Sequence, residues 1–196
     1  GRLSAPLFVF LAVESFRYTH NRGAYRDRLL WGAVAMIGGS MLLHSFYPRP
    51  DGLLITNNIF LTLGWGVLLL DRLTVYLQRQ RGIDSFFFAL LLFIGCLFTE
   101  GGILLLPMML AFYLFRGKKT WFVASYVFLS MSMLPGSWPL FTSDPHNNVQ
   151  WMMVFALPFF FLYNGRRGAD CRWFFYLFYP LHIWVLYLIS AWLQKQ

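Results

Sequence analysis

Charge is what this sequence has least of. Asp, Glu, Lys and Arg together make up 12% of its 196 residues, about half the fraction usual in soluble domains. Only two cysteines occur, Cys96 and Cys171. Their spacing is no metal motif, and we expect them near opposite faces of a membrane, where they form no disulfide. No Walker motif, GxSxG elbow, HExxH pair or Rossmann fingerprint is present, which removes the common nucleotide-, serine- and zinc-dependent signatures. Internal repeats, low-complexity linkers and a soluble domain are absent too. No metal site is expected.

What fills the space is apolar. Hydrophobic residues reach 58% and aromatics 20%, with 22 Phe, ten Tyr and eight Trp. A soluble domain of this size has too small an interior to hide so many rings, whereas lipid solvates them. Apolar runs near or above the length of a membrane span recur along the chain. The formal net charge of +8 is no nucleic-acid signal, because the basic residues sit in the gaps between apolar runs. The expected fold is all-α, a polytopic transmembrane helical bundle of about eight spans, forming a single integral-membrane domain over residues 1–196.

The spans are expected at Leu3–Phe16, Leu29–Phe46, Ile59–Leu77, Phe86–Phe98, Ile103–Phe115, Trp121–Leu134, Val149–Tyr163 and Trp173–Leu193. Several are short and belong inside the bundle or rely on snorkelling flanks. Thirteen of the sixteen basic residues fall at alternate connections: Arg17, Arg22, Arg26 and Arg28; Arg72, Arg79 and Arg81; Arg116, Lys118 and Lys119; Arg166, Arg167 and Arg172. Only Arg2, Arg49 and Lys195 lie on the other side. Positive loops stay in the cytoplasm, so both ends of the chain are expected to face outward from a bacterial inner membrane. The chain starts with Gly1 and enters a span at once, and we expect a helix upstream of it.

One histidine stands out. His182 lies near the middle of the last run, WFFYLFYPLHIWVLYLISAWL; at ~1.5 Å per helical residue it is about 15 Å from either water layer. An ionisable group at that depth is a functional candidate, because lipid gives it no partner. Arg172, Tyr176, Tyr179, His182 and Ser190 follow helical spacing and share one broad face. Pro180 removes a backbone donor one turn away and loosens the helix there. The competing reading is that His182 bonds a neighbouring helix's backbone and only stabilises packing.

Several other residues admit both a functional and a structural role. Glu14 and Arg17 are one turn apart, and a local ion pair competes with a catalytic role. Arg2 sits at the outer edge and either snorkels or reaches a polar pocket. Asn58, Thr62, Trp65 and Arg72 share a face of the third span, and Asn57 or Asn58 is a natural helix cap. Glu100, His44 and His146 are most simply solvated or interfacial. The RGKK loop and the NGRRG loop, with Gly165, Arg166, Arg167 and Gly168, suit phosphate contact, although topology alone also places basic residues there.

Three segments together resemble the TraX family of membrane proteins: the opening GRLSAPLFVFLAVESFRYTHNRGAYRDRLL, the segment NNIFLTLGWGVLLL, and the closing YNGRRG and FFYLFYPLH. The resemblance implies acetylation of pilin subunits, as in conjugative F-type pili, or a part in fimbrial assembly. It also implies kinship with membrane acyltransferases that use cytoplasmic acetyl-CoA. Carried over, it singles out Arg2, Pro6, Glu14, Asn58, Gly165, Gly168, Tyr179 and His182. Family members usually carry a further first helix with an Asp-His pair, which fits the expected upstream helix.

The expected function is therefore a membrane N-acetyltransferase moving acetyl from acetyl-CoA to an amine of a pilin-like or other surface acceptor. His182, Tyr179, Arg2 and Glu14 are its expected catalytic residues. Asn58, Arg72, Gly165, Arg166, Arg167 and Gly168 are its expected binding residues. Its expected partners are the lipid bilayer, acetyl-CoA and the acceptor, with no nucleic acid. The alternatives are a noncatalytic pilus assembly factor and a small-solute or proton-coupled transporter with helices broken at Pro107, Pro158 and Pro180. A transporter would show matched repeats, and the sequence has none.

Overall fold

A computed structural model describes residues 3–48, 55, 58–78, 83–97, 99, 101–133, 150–165 and 172–193. Among these there are eight α-helices and no strand: α1 (Ser4–Tyr18), α2 (Arg22–Phe46), α3 (Ile59–Gln78), α4 (Ile83–Leu97), α5 (Gly102–Leu114), α6 (Lys119–Met131), α7 (Leu157–Leu162) and α8 (Arg172–Leu193), with a 3₁₀ segment at Gln150–Ala156 leading into α7. The all-α bundle expected from composition is what the chain forms.

Local chemistry sets the helix ends. Pro6 lies in the first turn of α1, where a missing N–H costs nothing. The Asn21 side chain accepts from Ala24 N at 2.9 Å and starts α2 at Arg22 rather than at Leu29. Hydropathy sees only the apolar part of that helix; the capped polar turns before it are helical as well. Asn58 caps α3 as expected, accepting from Leu61 N at 3.2 Å. Its amide also donates to the Ala33 carbonyl at 3.0 Å, tethering α3 to α2.

Two expectations about proline are corrected. The seventh run is not one helix. Pro158 sits within the first two positions of α7, and the residues before it take the 3₁₀ form, because proline starts a helix better than it continues one. In contrast, α5 runs unbroken through Pro107 and α8 through Pro180. Among the described residues, α2, α3 and α8 are the helices long and apolar enough to cross a membrane by themselves. The helices α1, α4, α5 and α6 have 13 to 15 residues, against about 20 for a full span.

The core lies where α1, α3 and α5 meet, closed on one side by α6, the 3₁₀ segment and α7. Val9, Val13 and Phe16 of α1 pack with Leu63, Val67 and Leu70 of α3 and with Met108 and Phe112 of α5. A ring cluster of Phe10, Phe112, Phe122, Tyr126 and Phe160 adds edge and stacked contacts at centroid distances of 4.9 to 6.4 Å. The buried Tyr126 hydroxyl donates to the Met153 carbonyl. Outward, Trp31 is 69% and Phe128 72% exposed, which suits a lipid surround.

The register of α2 divides it. Arg22 reaches Asp71 at 4.0 Å and Ala33 meets Asn58, so the first half of α2 lies antiparallel along α3. The second half runs past the start of α3 and pairs with α8. There Trp184 Nε1 donates to Ser40 Oγ at 3.3 Å, and His44 Nδ1 lies 3.3 Å from the Tyr187 hydroxyl.

Candidate functional site

Two polar groupings stand out, and they sit on different parts of the bundle. The first is at the pole where α1, α3 and α5 end. Glu14 is one turn from the end of α1 and only 4% exposed at its side chain, and Arg116 Nη2 lies 2.5 Å from its Oε2. The same Nη2 donates to the Tyr18 hydroxyl at 3.2 Å, and the guanidinium rests 5.3 Å from the Tyr18 ring centroid. Glu14 therefore pairs across the bundle with Arg116, whereas the sequence offered Arg17 as its local partner. Arg17 lies over the Tyr113 ring at 5.7 Å and donates to the Tyr113 carbonyl at 3.4 Å.

Aromatic rings hold two further cations of this pole. Arg22 lies 4.7 Å from the Phe16 ring and Lys119 4.7 Å from the Phe161 ring, both within cation–π range. Thr74 Oγ1 donates to the Leu70 carbonyl at 2.7 Å and lies 2.6 Å from the Tyr113 hydroxyl. A carbonyl only accepts, so the single threonine proton goes there and Tyr113 donates to Thr74. That bond ties α5 to α3 beside the cations. Gly117 has φ +87, and this left-handed turn carries the chain from Arg116 back to Lys118 and Lys119.

The second grouping runs along α8. Tyr176 stacks on Phe60 at 5.4 Å and Tyr179 meets the same ring edge-on at 5.3 Å, next to the Asn58 cap. His182 lies 5.3 Å from Tyr179 in an edge-on arrangement and stacks on Phe178 at 5.3 Å. Its Nδ1 is 3.0 Å from the Phe178 carbonyl. Because a carbonyl only accepts, Nδ1 carries the proton, and Nε2 of the neutral ring is left with its lone pair. His182 is half-buried on the flank of α8. Its backbone partner lies in its own helix, where the packing reading expected a neighbouring one.

The structure thus brings Asn58, Tyr179 and His182 to neighbouring positions and keeps Glu14 apart from them. Arg72 lies 5.0 Å from the Phe88 ring of α4, while Asn58 reaches α2, so the shared face of α3 serves two different helices. Gly165 has φ +70, a conformation that favours glycine. Arg2, Arg166, Arg167, Gly168, Glu100, His146, Asn57 and Cys171 lie outside the described residues, as do the side chains of Cys96 and Arg172. Sequence reasoning missed Arg116 as an individual residue. A lone carboxylate in an apolar run was a signal that some distant cation must neutralise it, but sequence spacing does not say which.

Among the described residues no three His, Cys, Asp or Glu side chains gather as a metal site. No solved structure matches the chain. It is similar to the probable fimbrial assembly protein FimC of Dichelobacter nodosus, 31% identical over 212 aligned residues that cover 99% of this chain and 82% of that protein. The family model described as TraX protein matches residues 1–190. With nearly the whole length matched and a helical bundle of apolar spans in place, this chain belongs to the TraX family.

Proposed function

We propose that this protein is an integral-membrane N-acetyltransferase of the bacterial inner membrane, with acetyl-CoA as donor and an amine of a pilin-like surface protein as acceptor. The observation that carries the reading is the contact of His182 Nδ1 with the Phe178 carbonyl at 3.0 Å. With Nδ1–H committed to the Phe178 carbonyl, Nε2 is the ring atom free to take a proton, which a base working near neutral pH requires.

In this mechanism the acceptor ammonium first gives a proton to His182 Nε2. The neutral amine then attacks the thioester carbonyl, forming the C–N bond and placing negative charge on oxygen. The Tyr179 hydroxyl, on the ring beside His182, is the donor for that oxyanion. Collapse breaks the C–S bond, and the departing thiolate takes the second amine proton. The histidine returns its proton to water. The basic loops hold the nucleotide of acetyl-CoA.

The test is transfer of labelled acetyl from acetyl-CoA to a pilin-derived amine in membranes holding the wild type, His182→Ala or His182→Asn. Asparagine keeps a donor for the Phe178 carbonyl and removes the Nε2 base. Loss in both variants with unchanged insertion supports the mechanism. Wild-type transfer that survives His182→Asn removes His182 from it.

A second reading, a noncatalytic factor for fimbrial assembly, draws on the name of the similar protein and on the separation of Glu14 from the Tyr179–His182 pair. Acceptor binding by the wild type without CoA turnover favours it.

A further inference from the structure

A groove of about 530 Å³ runs along the exposed face of α6, lined by Lys119, Thr120, Val123, Ala124 and Val127. Helical spacing puts these positions on one side of α6, and the side chains of the floor are short. Beside them Trp121 and Phe128 stand 62% and 72% exposed and form a taller rail. The groove is cationic at one end and apolar along the rest. Val127 lies ~12 Å beyond Lys119 at the helical rise, within the ~15 Å depth of one hydrocarbon leaflet. Trp121 stands within about 3 Å of Lys119 along the axis, the level at which indoles anchor to a membrane interface.

The charge at the cationic end is unmatched. Glu14 faces Arg116, Asp27 faces Arg26 and Asp71 faces Arg22, so none of these carboxylates neutralises Lys118 or Lys119. No acidic residue lies in the first turn of α6, and Lys118 is exposed. Lys119 rests on the Phe161 ring at 4.7 Å, which holds the ammonium without cancelling its charge. The Thr120 hydroxyl next to them has no hydrogen-bond partner among the described residues.

We infer that this groove binds an anionic phospholipid, with the headgroup phosphate against Lys118, Lys119 and Thr120 and one acyl chain laid over Val123, Ala124 and Val127. Charge bias places cations at the ends of spans, but it does not put an apolar channel beneath them. A chain lodged in the channel gains dispersion contacts on more than one side, and the lysine pair favours an anionic headgroup over a zwitterionic one. The inference needs a bilayer but does not rest on the acetyltransferase reading. It gives this lysine pair to a lipid and leaves the nucleotide of acetyl-CoA to the other basic loops.

The test titrates the full chain in detergent with phosphatidylglycerol and, separately, with phosphatidylcholine, and reads bound lipid by native mass spectrometry. The wild type is expected to retain phosphatidylglycerol in preference to phosphatidylcholine. Lys119→Gln should weaken that binding about fivefold, and the double variant Lys118→Gln with Lys119→Gln further. Arg28→Gln removes the same charge elsewhere on the chain and should bind nearly as the wild type does. Ala124→Leu leaves every charge in place but fills the floor of the groove, and it should weaken binding about threefold. Ala124 is exposed, and the thermal midpoint without added lipid reports whether each variant folds.

Equal binding of the two lipids by the wild type overturns the site. So do equal losses in Lys119→Gln and Arg28→Gln, which reduce the effect to general surface charge. Wild-type affinity in a folded Ala124→Leu variant removes the acyl chain from the groove and overturns the inference as well. Displacement of phosphatidylglycerol by CoA at equal concentration hands the lysines to a free nucleotide and overturns the lipid as occupant.

Discussion

Gly39 and Trp184 interlock α2 and α8: a methyl group on the glycine would lie 2.2 Å from Cζ2 of the indole. The notch lets Trp184 reach Ser40 and brings His44 to Tyr187 one turn further on. In lipid the apolar surface of two helices gains nothing from hiding against each other, so close backbone approach and side-chain hydrogen bonds carry the association.

Filling that notch should open the pair. Gly39→Ala is expected to cost about 1–3 kcal/mol through overpacking, read as a drop in thermal midpoint in detergent or nanodiscs. Combining it with Trp184→Ala should cost less than the sum of the two single losses, because both act on one contact. Additive losses would mean that the two helices do not meet there.

The ion pair of Glu14 with Arg116 gives a second prediction. Arg116→Ala leaves a carboxylate at 4% exposure without its cation and is expected to destabilise by about 2 kcal/mol, below the range for fully buried pairs because the arginine is partly hydrated. Arg17→Ala should cost less, since that arginine lies over Tyr113 and donates to its carbonyl. Thermal unfolding of the two variants side by side checks the order; equal losses would restore Arg17 as the partner.

The bond between Tyr113 and Thr74 gives a third prediction. Thr74→Val strips Tyr113 of its acceptor and is expected to cost about 1–2 kcal/mol, while Thr74→Ser should be nearly neutral. An indifferent valine variant would show that Tyr113 finds another acceptor.

At Gly165, φ +70 with open space around it among the described residues separates strain from packing. Gly165→Val is expected to destabilise the turn by about 1–2 kcal/mol, and Gly165→Asn by less, because asparagine tolerates the left-handed region. Limited proteolysis at the turn in both variants gives the ranking.

Much of this protein is legible in its sequence, for reasons particular residues make plain. Composition and the length of the apolar runs point to a helical bundle, because no soluble core holds so many rings. Asn58 reads as a cap because its type and position suffice to bind an orphan N–H. Asn21 is equally local, but it lies outside the apolar run that drew attention to α2. The break of the seventh run at Pro158 required the backbone itself, since prolines at positions 107 and 180 sit inside continuous helices. Proline tolerance depends on what satisfies the freed carbonyl, and sequence spacing does not carry that.

The sequence by itself determined the class of solvent around the chain, the order of the helices and the pole at which the cations gather, since each follows from local hydropathy and charge. Only the tertiary structure decided that Glu14 belongs to Arg116, that Tyr113 donates to Thr74, that α2 leaves α3 halfway to join α8, and that Glu14 stands apart from His182. Those are pairings across helices. Their geometry is fixed by which faces pack, at what depth and in which register, and residues far apart in a chain carry no local signal of that choice.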